Sequence, residues 1–200
     1  MTEERSKEII REAAELMTAF PIGTERLVLR PFLEEDFEDF FEYITQKELQ
    51  RLSGNHEIST REKARESFDW LMEKNADCAT RYAVVLRETG KVVGNFCIDF
   101  YPFLLHDSAL EGKKGLSLSL VLNEKYQRRG LMTELLRRVI DYFLKERGFD
   151  FLNSGYFDFN EGSRRLQEKA GMRPYIEHEF ELNGETMHVK EMMIRREELE

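Results

Sequence analysis

The spacing of apolar residues changes from a strand period to a helix period in the middle of the chain. From Leu116 to Leu122, leucines alternate with serine and valine, which is the period-two pattern of a strand with one face toward a core. From Met132 to Leu144, apolar residues recur every three or four positions and predict an amphipathic helix. Gly148 follows as a predicted left-handed cap at the helix C-terminus.

The turn between this strand and helix reads Gln127-Arg128-Arg129-Gly130-Leu131-Met132. A helix N-terminus presents backbone N–H groups without intrahelical partners and about half a positive charge. Gly130 permits a tight turn or the close approach of a bound group, and the two arginines add charge. These features predict an anion site, most naturally for a phosphate or pyrophosphate. An ordinary turn with two solvated arginines is the competing interpretation.

The remaining elements follow from the same two periods and from turn residues. Ser59 with Glu62 predicts a capping box, and Asn183-Gly184 is a strong hairpin signal. The loop Pro102–Gly115 is long enough to be functional. The predicted elements are a strand at Glu25–Arg30, helices around Leu33–Thr45 and from Ser59 to about Asn75, strands Tyr82–Arg87, Lys91–Tyr101 and Asp150–Phe159, a short helix from Asn160 to Gly171, and strands Pro174–Leu182 and Glu185–Arg195.

This order predicts a mixed α/β fold, in which helices flank a mostly antiparallel sheet within one domain. A helix is also predicted over residues 3–20, and Pro21 and Gly23 separate it from the first strand. We therefore expect an N-terminal helical arm at residues 1–22 and a domain at residues 23–200. The pattern leaves open whether the arm packs on this domain or on another subunit.

Composition narrows the class of protein. The chain has 200 residues, of which 41% are hydrophobic and 15 are Phe, enough for one well-buried domain. It contains neither a run of ~20 apolar residues, as a membrane span needs, nor a signal-peptide core. Cys78 and Cys97 cannot form a disulfide scaffold, so a cytoplasmic location is expected. The histidines lack a paired ligand spacing, and no metal site is predicted.

Charge narrows the class of partner. The formal net charge of −9 disfavours general nucleic-acid binding, which depends on neutralising phosphates, and favours cationic partners such as amines. The basic turn is a local exception in an acidic chain, which strengthens its interpretation as an anion site. Neither common glycine-rich nucleotide motif, G-x-x-x-x-G-K-[ST] or G-x-G-x-x-G, is present, so a nucleotide-binding enzyme is not favoured.

Three ordered segments carry a family resemblance. They are Thr24–Pro31 (TERLVLRP), Gln127–Thr133 (QRRGLMT), and Asn160–Ser163 (NEGS) followed by Glu168–Met172 (EKAGM). In this order and spacing the chain resembles the GNAT superfamily of N-acetyltransferases, within it the Rim-type group that acetylates ribosomal-protein N-termini. The resemblance implies the GNAT acyl-CoA N-acyltransferase fold and acetyl-CoA as co-substrate. It also implies a primary amine as acceptor, either a small molecule or a protein N-terminus.

The resemblance also implies roles for individual residues. The acetyl-CoA pyrophosphate would lie on backbone N–H groups of the basic turn, and the pantetheine arm along the exposed edge of the preceding strand. Ser163 would be catalytic, near the leaving thiolate, whereas helix capping is the alternative role for Asn160 and Ser163. The implied cofactor-binding residues are Leu120, Val121, Leu122, Gln127, Arg128, Arg129, Gly130, Leu131, Met132, Thr133, Asn160 and Ser163.

The chain departs from the family pattern at three positions. Ser117 stands where Rim-type proteins commonly carry a Glu base, Gln167 stands where other members carry a Tyr acid, and Met132 replaces a small residue. The base is therefore unassigned. Asp99, Glu111, Asp158 and Tyr156 are candidates, each also explained as a solvated or ion-paired residue.

The missing carboxylate favours an acceptor that deprotonates easily, such as an α-amine with a pKa of ~7.7–8.0 rather than a lysine-like amine at ~10.4. A non-catalytic acyl-CoA-binding or sensing protein is the alternative function. A homodimer through the C-terminal hairpin or the N-terminal arm is also open.

Overall fold

The computed structural model describes residues 2–54, 58–182 and 184–199. Seven strands form one sheet in the order β1-β2-β3-β4-β5-β7-β6, and every neighbouring pair is antiparallel except β4 with β5. This confirms the predicted mixed, mostly antiparallel sheet. The strands are β1 (Leu27–Pro31), β2 (Arg81–Leu86), β3 (Val92–Asp99), β4 (Gly115–Leu122), β5 (Phe151–Phe157), β6 (Arg173–Leu182) and β7 (Glu185–Arg195).

Helices cover both faces of the sheet. On one face, Ile9, Leu135 and Val139 belong to a core shared with the leucines of β4. On the other face, Phe40 and Phe68 belong to a second core, where their rings meet edge to face at 5.2 Å between centroids. The helices are α1 (Glu3–Ala19), α2 (Phe37–Ile44), α3 (Lys47–Ser53), α4 (Arg61–Asp77), α5 (Leu131–Ile140) and α6 (Glu161–Lys169).

The N-terminal helix α1 packs against its own domain. Its apolar side is buried in the core between β3, β4 and the end of α5. Polar contacts hold it in the same place: Glu12 Oε1 lies 2.5 Å from Lys114 Nζ, and the Tyr142 hydroxyl donates to Leu16 O at 2.8 Å. The apolar face of the predicted arm is therefore covered by the chain's own sheet.

The segment between β1 and β2 departs most from the expected elements. α3 was not predicted, because it is only seven residues long and lies in a polar stretch ending at Gly54. α4 begins one residue later than the predicted capping box, since the side chain of Thr60, rather than that of Ser59, accepts from Lys63 N–H at 3.3 Å. The first predicted helix opens as a 3-10 turn at Glu34–Asp36 and becomes α-helical only at Phe37.

The long helix after the basic turn changes its winding before it ends. At Asp141–Glu146 it widens into a π-helix, where Arg147 N–H donates to Tyr142 O at 3.0 Å. The wider turn lets three consecutive residues, Tyr142, Phe143 and Leu144, all be buried, whereas the predicted α-helical stripe contains only the last two. Gly148 follows with φ +68°, which confirms the predicted left-handed cap.

The C-terminal hairpin is formed by β6 and β7 as predicted, with Gly184 at φ +83°. Asn183, the other residue of the predicted turn, lies outside the described residues, as does His56. Within the described ranges, no helix is both long and apolar enough to cross a membrane. In the same ranges, no group of three His, Cys, Asp or Glu side chains is arranged to hold a metal ion.

Candidate active site

The two central strands of the sheet are paired only at their N-terminal ends. The parallel register of β4 with β5 covers Gly115–Phe151, Leu116–Leu152 and Ser117–Asn153. Farther along, β4 remains paired with β3 as far as Leu122, and β5 remains paired with β7 as far as Phe157. The sheet therefore opens into a V between residues 118–122 of β4 and residues 154–157 of β5.

Alternation of the backbone shows which groups of β4 face this opening. Asn123 N–H donates to Val93 O on β3 at 2.8 Å. Since N–H and C=O directions alternate along a strand, the backbone groups of Val121 also point at β3, and those of Leu120 and Leu122 point into the V. Leu120 and Leu122 have no pairing partner on β5 in the described sheet. Leu122 O accepts from Gln127 Nε2 at 2.9 Å, so the free groups of this edge are the N–H and C=O of Leu120 and the N–H of Leu122. Such a strand edge can pair with an extended ligand.

The basic turn after β4 presents a row of free N–H groups. Arg128 and Gly130 both have left-handed backbone conformations, with φ +60° and +75°. In the described chain, the first hydrogen bond into α5 is Glu134 N–H to Gly130 O at 3.0 Å, and the N–H groups of residues 128–133 donate to no protein acceptor. Adjacent N–H groups around left-handed residues at a helix N-terminus have the geometry of an anion site.

Charge around this turn is unevenly compensated. Arg26 holds the turn from β1's side, with Nε 2.6 Å from Glu134 Oε2 and one terminal nitrogen 3.1 Å from Arg129 O. Burial acts to raise the pKa of Glu134, but hydrogen bonds from Thr24 and Arg26 outweigh it, so this pKa is lowered. Arg128 and Arg129 are exposed and form no ion pair with a described carboxylate. Positive charge therefore remains free beside the N–H groups.

An open groove continues from the turn along α5. Its volume is about 640 Å³, and its lining includes Arg137, Lys169 and two carboxylates, Glu134 and Asp141, which are paired with Arg26 and Lys145. Arg137 donates to the backbone carbonyl of Lys169 at 2.6 Å, so neither positive charge is neutralised by that contact. The groove extends the positive surface beyond the turn.

Asn160 and Ser163, which the resemblance assigns to the co-substrate, lie in the first turn of α6, where the Asn160 side chain is the N-cap and Ser163 supplies the capped N–H. Asn160 Oδ1 accepts from Ser163 N–H at 3.0 Å, and Asn160 Nδ2 donates to Leu52 O in α3 at 3.1 Å. Ser163 Oγ accepts from Gln167 Nε2 at 3.0 Å, which leaves the hydroxyl proton of Ser163 available. The capping role is therefore present, and a role of Ser163 toward a leaving group stays a prediction.

Ser117 sits at the apex of the V, on the face of the sheet opposite α5. It is fully buried, accepts from Tyr101 N–H at 3.1 Å and donates to Asn153 Oδ1 at 3.3 Å. Asn153 Nδ2 in turn donates to Glu191 Oε2 at 3.0 Å. On the same face Ser119 is exposed, although β4 is the middle strand of the sheet, so a cleft reaches the centre of the sheet here.

The four candidate bases differ in position. Asp99 lies opposite Ser117 on β3 and is exposed at the cleft. Glu111 and Asp158 are exposed, the former in the loop before β4 and the latter after the end of β5. Tyr156 belongs to the core on the α5 face, and burial raises its pKa.

Sequence reasoning missed Asn153, the buried partner of Ser117, and Glu191, the buried partner of Asn153. A signal was present: along β7, Met187, Val189 and Met193 occupy one face, and Glu191 interrupts that apolar alternation.

Comparisons with known proteins identify the family and the fold. The family model described as acetyltransferase (GNAT) domain matches residues 26–173. An uncharacterised N-acetyltransferase, YnaD, of Bacillus subtilis is 25% identical over 152 residues, covering 76% of this chain and 82% of YnaD. The fold is shared with a GNAT-family acetyltransferase from Bacillus anthracis at TM-score 0.75 and 23% identity, covering 89% of this chain and 99% of that one.

Two further solved structures share the fold at lower identity. One is spermidine N-acetyltransferase from Vibrio cholerae in complex with CoA and spermine, at TM-score 0.65 and 15% identity, covering 88% of this chain and 98% of that one. The other is ribosomal-protein-S5-alanine acetyltransferase from Vibrio fischeri, at TM-score 0.65 and 16% identity, covering 90% of this chain and 98% of that one. Ribosomal-protein acetyltransferases are thus among the structural neighbours.

Proposed function

The chain is an N-acetyltransferase of the acetyltransferase (GNAT) family, and from this premise we propose that it transfers acetyl from acetyl-CoA to a primary amine. The observation that carries the proposal is the V between β4 and β5, which leads to the free N–H groups of residues 128–133. An elongated molecule with an anionic centre fits both features. Bound acetyl-CoA would supply an activated acyl carbon at the V.

The proposed contacts with acetyl-CoA follow from the backbone groups that have no protein partner. Backbone N–H groups of residues 128–133, with Arg128 and Arg129, would hold the pyrophosphate through hydrogen bonds and charge. The free edge at Leu120 and Leu122 would pair with the pantetheine arm, as an added strand does at a sheet edge. An N–H on that edge is available to stabilise negative charge that develops on the thioester oxygen.

We place the acceptor amine in the cleft on the opposite face, where Ser119 and Asp99 are exposed. Tyr101 and Phe103 border the same region, with ring centroids 5.9 Å apart. A carboxylate beside aromatic rings suits a cationic amine with an apolar part. Ser117 offers no carboxylate at the apex, which supports an α-amine, of a small molecule or a protein N-terminus, as the acceptor.

Two matched glycine variants test the co-substrate site. Gly130 and Gly90 have nearly the same backbone, with φ +75° and +72°, and a Cβ at either meets no atom closer than 3.7 Å. Valine at each position should therefore cost a similar ~1–2 kcal/mol of stability through the left-handed backbone. Only Gly130→Val should weaken acetyl-CoA binding, by about tenfold or more in calorimetry, because only Gly130 lies in the anion site. Equal affinities for the two folded variants would refute the assignment.

A panel of amines tests the transfer itself. Release of CoA from acetyl-CoA is followed with alanine amide, an alanine-initiated peptide, spermidine and Nα-acetyl-lysine amide, and the acetylated products are identified by mass spectrometry. We expect stimulated release, faster with the two α-amines. Equal or faster turnover of the lysine-like amine removes the α-amine preference. Acetyl-CoA binding without any stimulated release would indicate an acyl-CoA-binding protein in place of a transferase.

A further inference from the structure

A histidine completes the buried hydrogen-bond chain that begins at Ser117. His178 on β6 places Nε2 3.0 Å from Glu191 Oε1, while the other oxygen of Glu191 accepts from Asn153. The chain Ser117–Asn153–Glu191–His178 thus crosses four strands, β4, β5, β7 and β6, on one face of the sheet. Its inner three members are 0%, 0% and 2% exposed, whereas the His178 side chain is 32% exposed. His178 is the end that reaches the surface.

A second histidine–glutamate pair on the same hairpin shows that this arrangement is not a general feature of the strands. His188 Nδ1 lies 2.8 Å from Glu179 Oε1, but both side chains are more than half exposed. A surface pair of this kind contributes about 0–1 kcal/mol. A buried carboxylate is tolerated only when its oxygens are hydrogen-bonded, so Glu191 depends on Asn153 and His178 in a way that Glu179 does not depend on His188.

The pairing with Glu191 defines which nitrogen of His178 is reactive. An ionised carboxylate only accepts hydrogen bonds, so a neutral His178 that pairs with ionised Glu191 donates from Nε2 and has its lone pair on Nδ1. No described group forms a hydrogen bond with Nδ1. The ring of His178 lies near two aromatic rings, those of Phe103, at 5.1 Å between centroids, and Phe180, at 6.5 Å. The ring of His178 is thus held through Nε2 and its aromatic neighbours, and Nδ1 is left without a described partner.

This pair lies at the level where the V opens. Glu191 stands directly opposite Gly155, two residues past Asn153, the last residue of β5 that pairs with β4. At about 3.3 Å per residue along the strands, Glu191 lies roughly 7 Å farther toward the opening than Asn153, on the strand next to β5. The Glu191 side chain lies on the same face of the sheet as the cleft in which Ser119 is exposed.

We propose that His178 is the catalytic base that takes the proton of the acceptor amine, with Glu191 and Asn153 as positioning residues. This inference rests on the proposed amine transfer. The ammonium gives one proton to Nδ1, directly or through a water, and the freed nitrogen lone pair forms the C–N bond with the thioester carbon. The C–S bond breaks with its electron pair going to sulfur. The second proton of the amine nitrogen goes to the thiolate, and the imidazolium returns its proton to solvent.

The charged groups that the structure describes near His178 favour this role. Glu191 faces it from β7, and Asp99 and Tyr101 lie beyond Glu191 at the end of β3. Burial first, and then the negative charges of Glu191 and Asp99, raise the pKa of Tyr101, so its phenol stays neutral. Nearby on the same hairpin, Glu177 is paired with Lys190 and Glu179 is paired with His188. An imidazolium formed during the reaction would be stabilised by Glu191.

The test compares His178→Gln with His188→Gln across pH, using the fastest amine of the panel. General-base catalysis contributes about 10²–10⁴-fold, so His178→Gln should lower kcat by about a hundredfold near neutral pH. Its KM for acetyl-CoA should be unchanged. The deficit should shrink as pH rises, because the amine then loses its proton to solvent unaided. Glu191→Gln should lower kcat less, and His188→Gln should match the unaltered enzyme.

The results of these experiments distinguish a failure of the His178 assignment from a failure of the proposed function. If the unaltered enzyme shows no amine-stimulated CoA release, the proposed function fails and this inference fails with it. If release is stimulated but His178→Gln retains kcat, or shows the same deficit at every pH, His178 is not the base while the proposed function stands. Circular dichroism and thermal unfolding of each variant check its fold. A kcat loss at His188→Gln equal to that at His178→Gln would also overturn the assignment.

Discussion

Glu191 stands directly opposite Gly155 in the β5–β7 ladder, and a methyl group on Gly155 would lie 2.6 Å from Glu191 Oε1. The glycine thus leaves the space in which the buried carboxylate lies. Gly155→Ala should destabilise the protein by about 1–3 kcal/mol through overpacking, and lower kcat by displacing Glu191. Urea denaturation measures the first effect. As a control, Gly162→Ala places its methyl no closer than 3.6 Å to Asn160 Oδ1 and should be neutral or stabilising. Equal stabilities for the two variants would contradict the fit.

Arg26 fixes the basic turn through Glu134 and the carbonyl of Arg129. Arg26→Met keeps most of the side-chain stem but removes both contacts, so the turn loses a constraint on its free N–H groups. We expect the KM for acetyl-CoA to rise about three- to tenfold, with stability changed by less than ~1 kcal/mol because the pair is partly exposed. Steady-state kinetics tests this, with Arg5→Met, from the exposed Arg5–Glu8 pair on α1, as control. An unchanged KM would mean that the turn holds its shape without Arg26.

Ser163 accepts a hydrogen bond from Gln167 and keeps a hydroxyl proton to donate. If that proton reaches the leaving sulfur, Ser163→Ala should lower kcat by about tenfold, which corresponds to ~1.4 kcal/mol, without changing acetyl-CoA affinity. Gln167→Leu removes the same internal hydrogen bond but preserves the hydroxyl. It should therefore affect stability more than kcat. Equal kcat losses in the two variants would limit the Ser163 hydroxyl to its hydrogen bond with Gln167.

Glu42 links α2 to the start of β3 and to the segment after β4, which lie at the same end of the sheet. Hydrogen bonds from Lys91, Lys125 and Asn123 lower its pKa from 4.5 to about 2. Because the pKa is lower in the folded state, this stabilisation is complete above about pH 4.5 and disappears as pH falls toward 2.

Glu42→Gln should therefore be less stable than the unaltered protein at pH 7, by an amount that diminishes between pH 4.5 and pH 2. Urea unfolding at a series of pH values measures the difference. Glu38→Gln, from an exposed pair with Arg61, should show almost none. A difference for Glu42→Gln that is independent of pH would exclude its carboxylate as the cause.

The sequence predicts those parts of the fold that depend on local patterns. Alternating leucines define β4, and the apolar stripe defines α5, because each pattern reflects which face of the element is buried. α3 and the start of α4 were missed or displaced because short polar helices and capping residues depend on single hydrogen bonds, such as that of Thr60. The π-helix was missed because its winding depends on burying three adjacent residues against α1 and the sheet.

For the site, the basic turn was predictable because its chemistry lies within six consecutive residues. The family model confirms the GNAT resemblance that the turn supports. The chain from Ser117 to His178 could not be predicted, since strand order decides that β7 lies beside β5 and brings Glu191 within reach of Asn153. The predicted homodimer and cytoplasmic location stay predictions.

The short β4–β5 register also has a consequence for motion in the sheet. Strands β1–β4 and strands β5–β7 are joined at that point by only three residue pairs, so they amount to two half-sheets meeting at a seam. A ligand that pairs with Leu120 and Leu122 would lengthen this seam and couple the two halves. Amide hydrogen exchange at these two residues should then be fast in the free enzyme and slow in the complex. Acetyl-CoA would thus be a reactant and, while bound, part of the sheet.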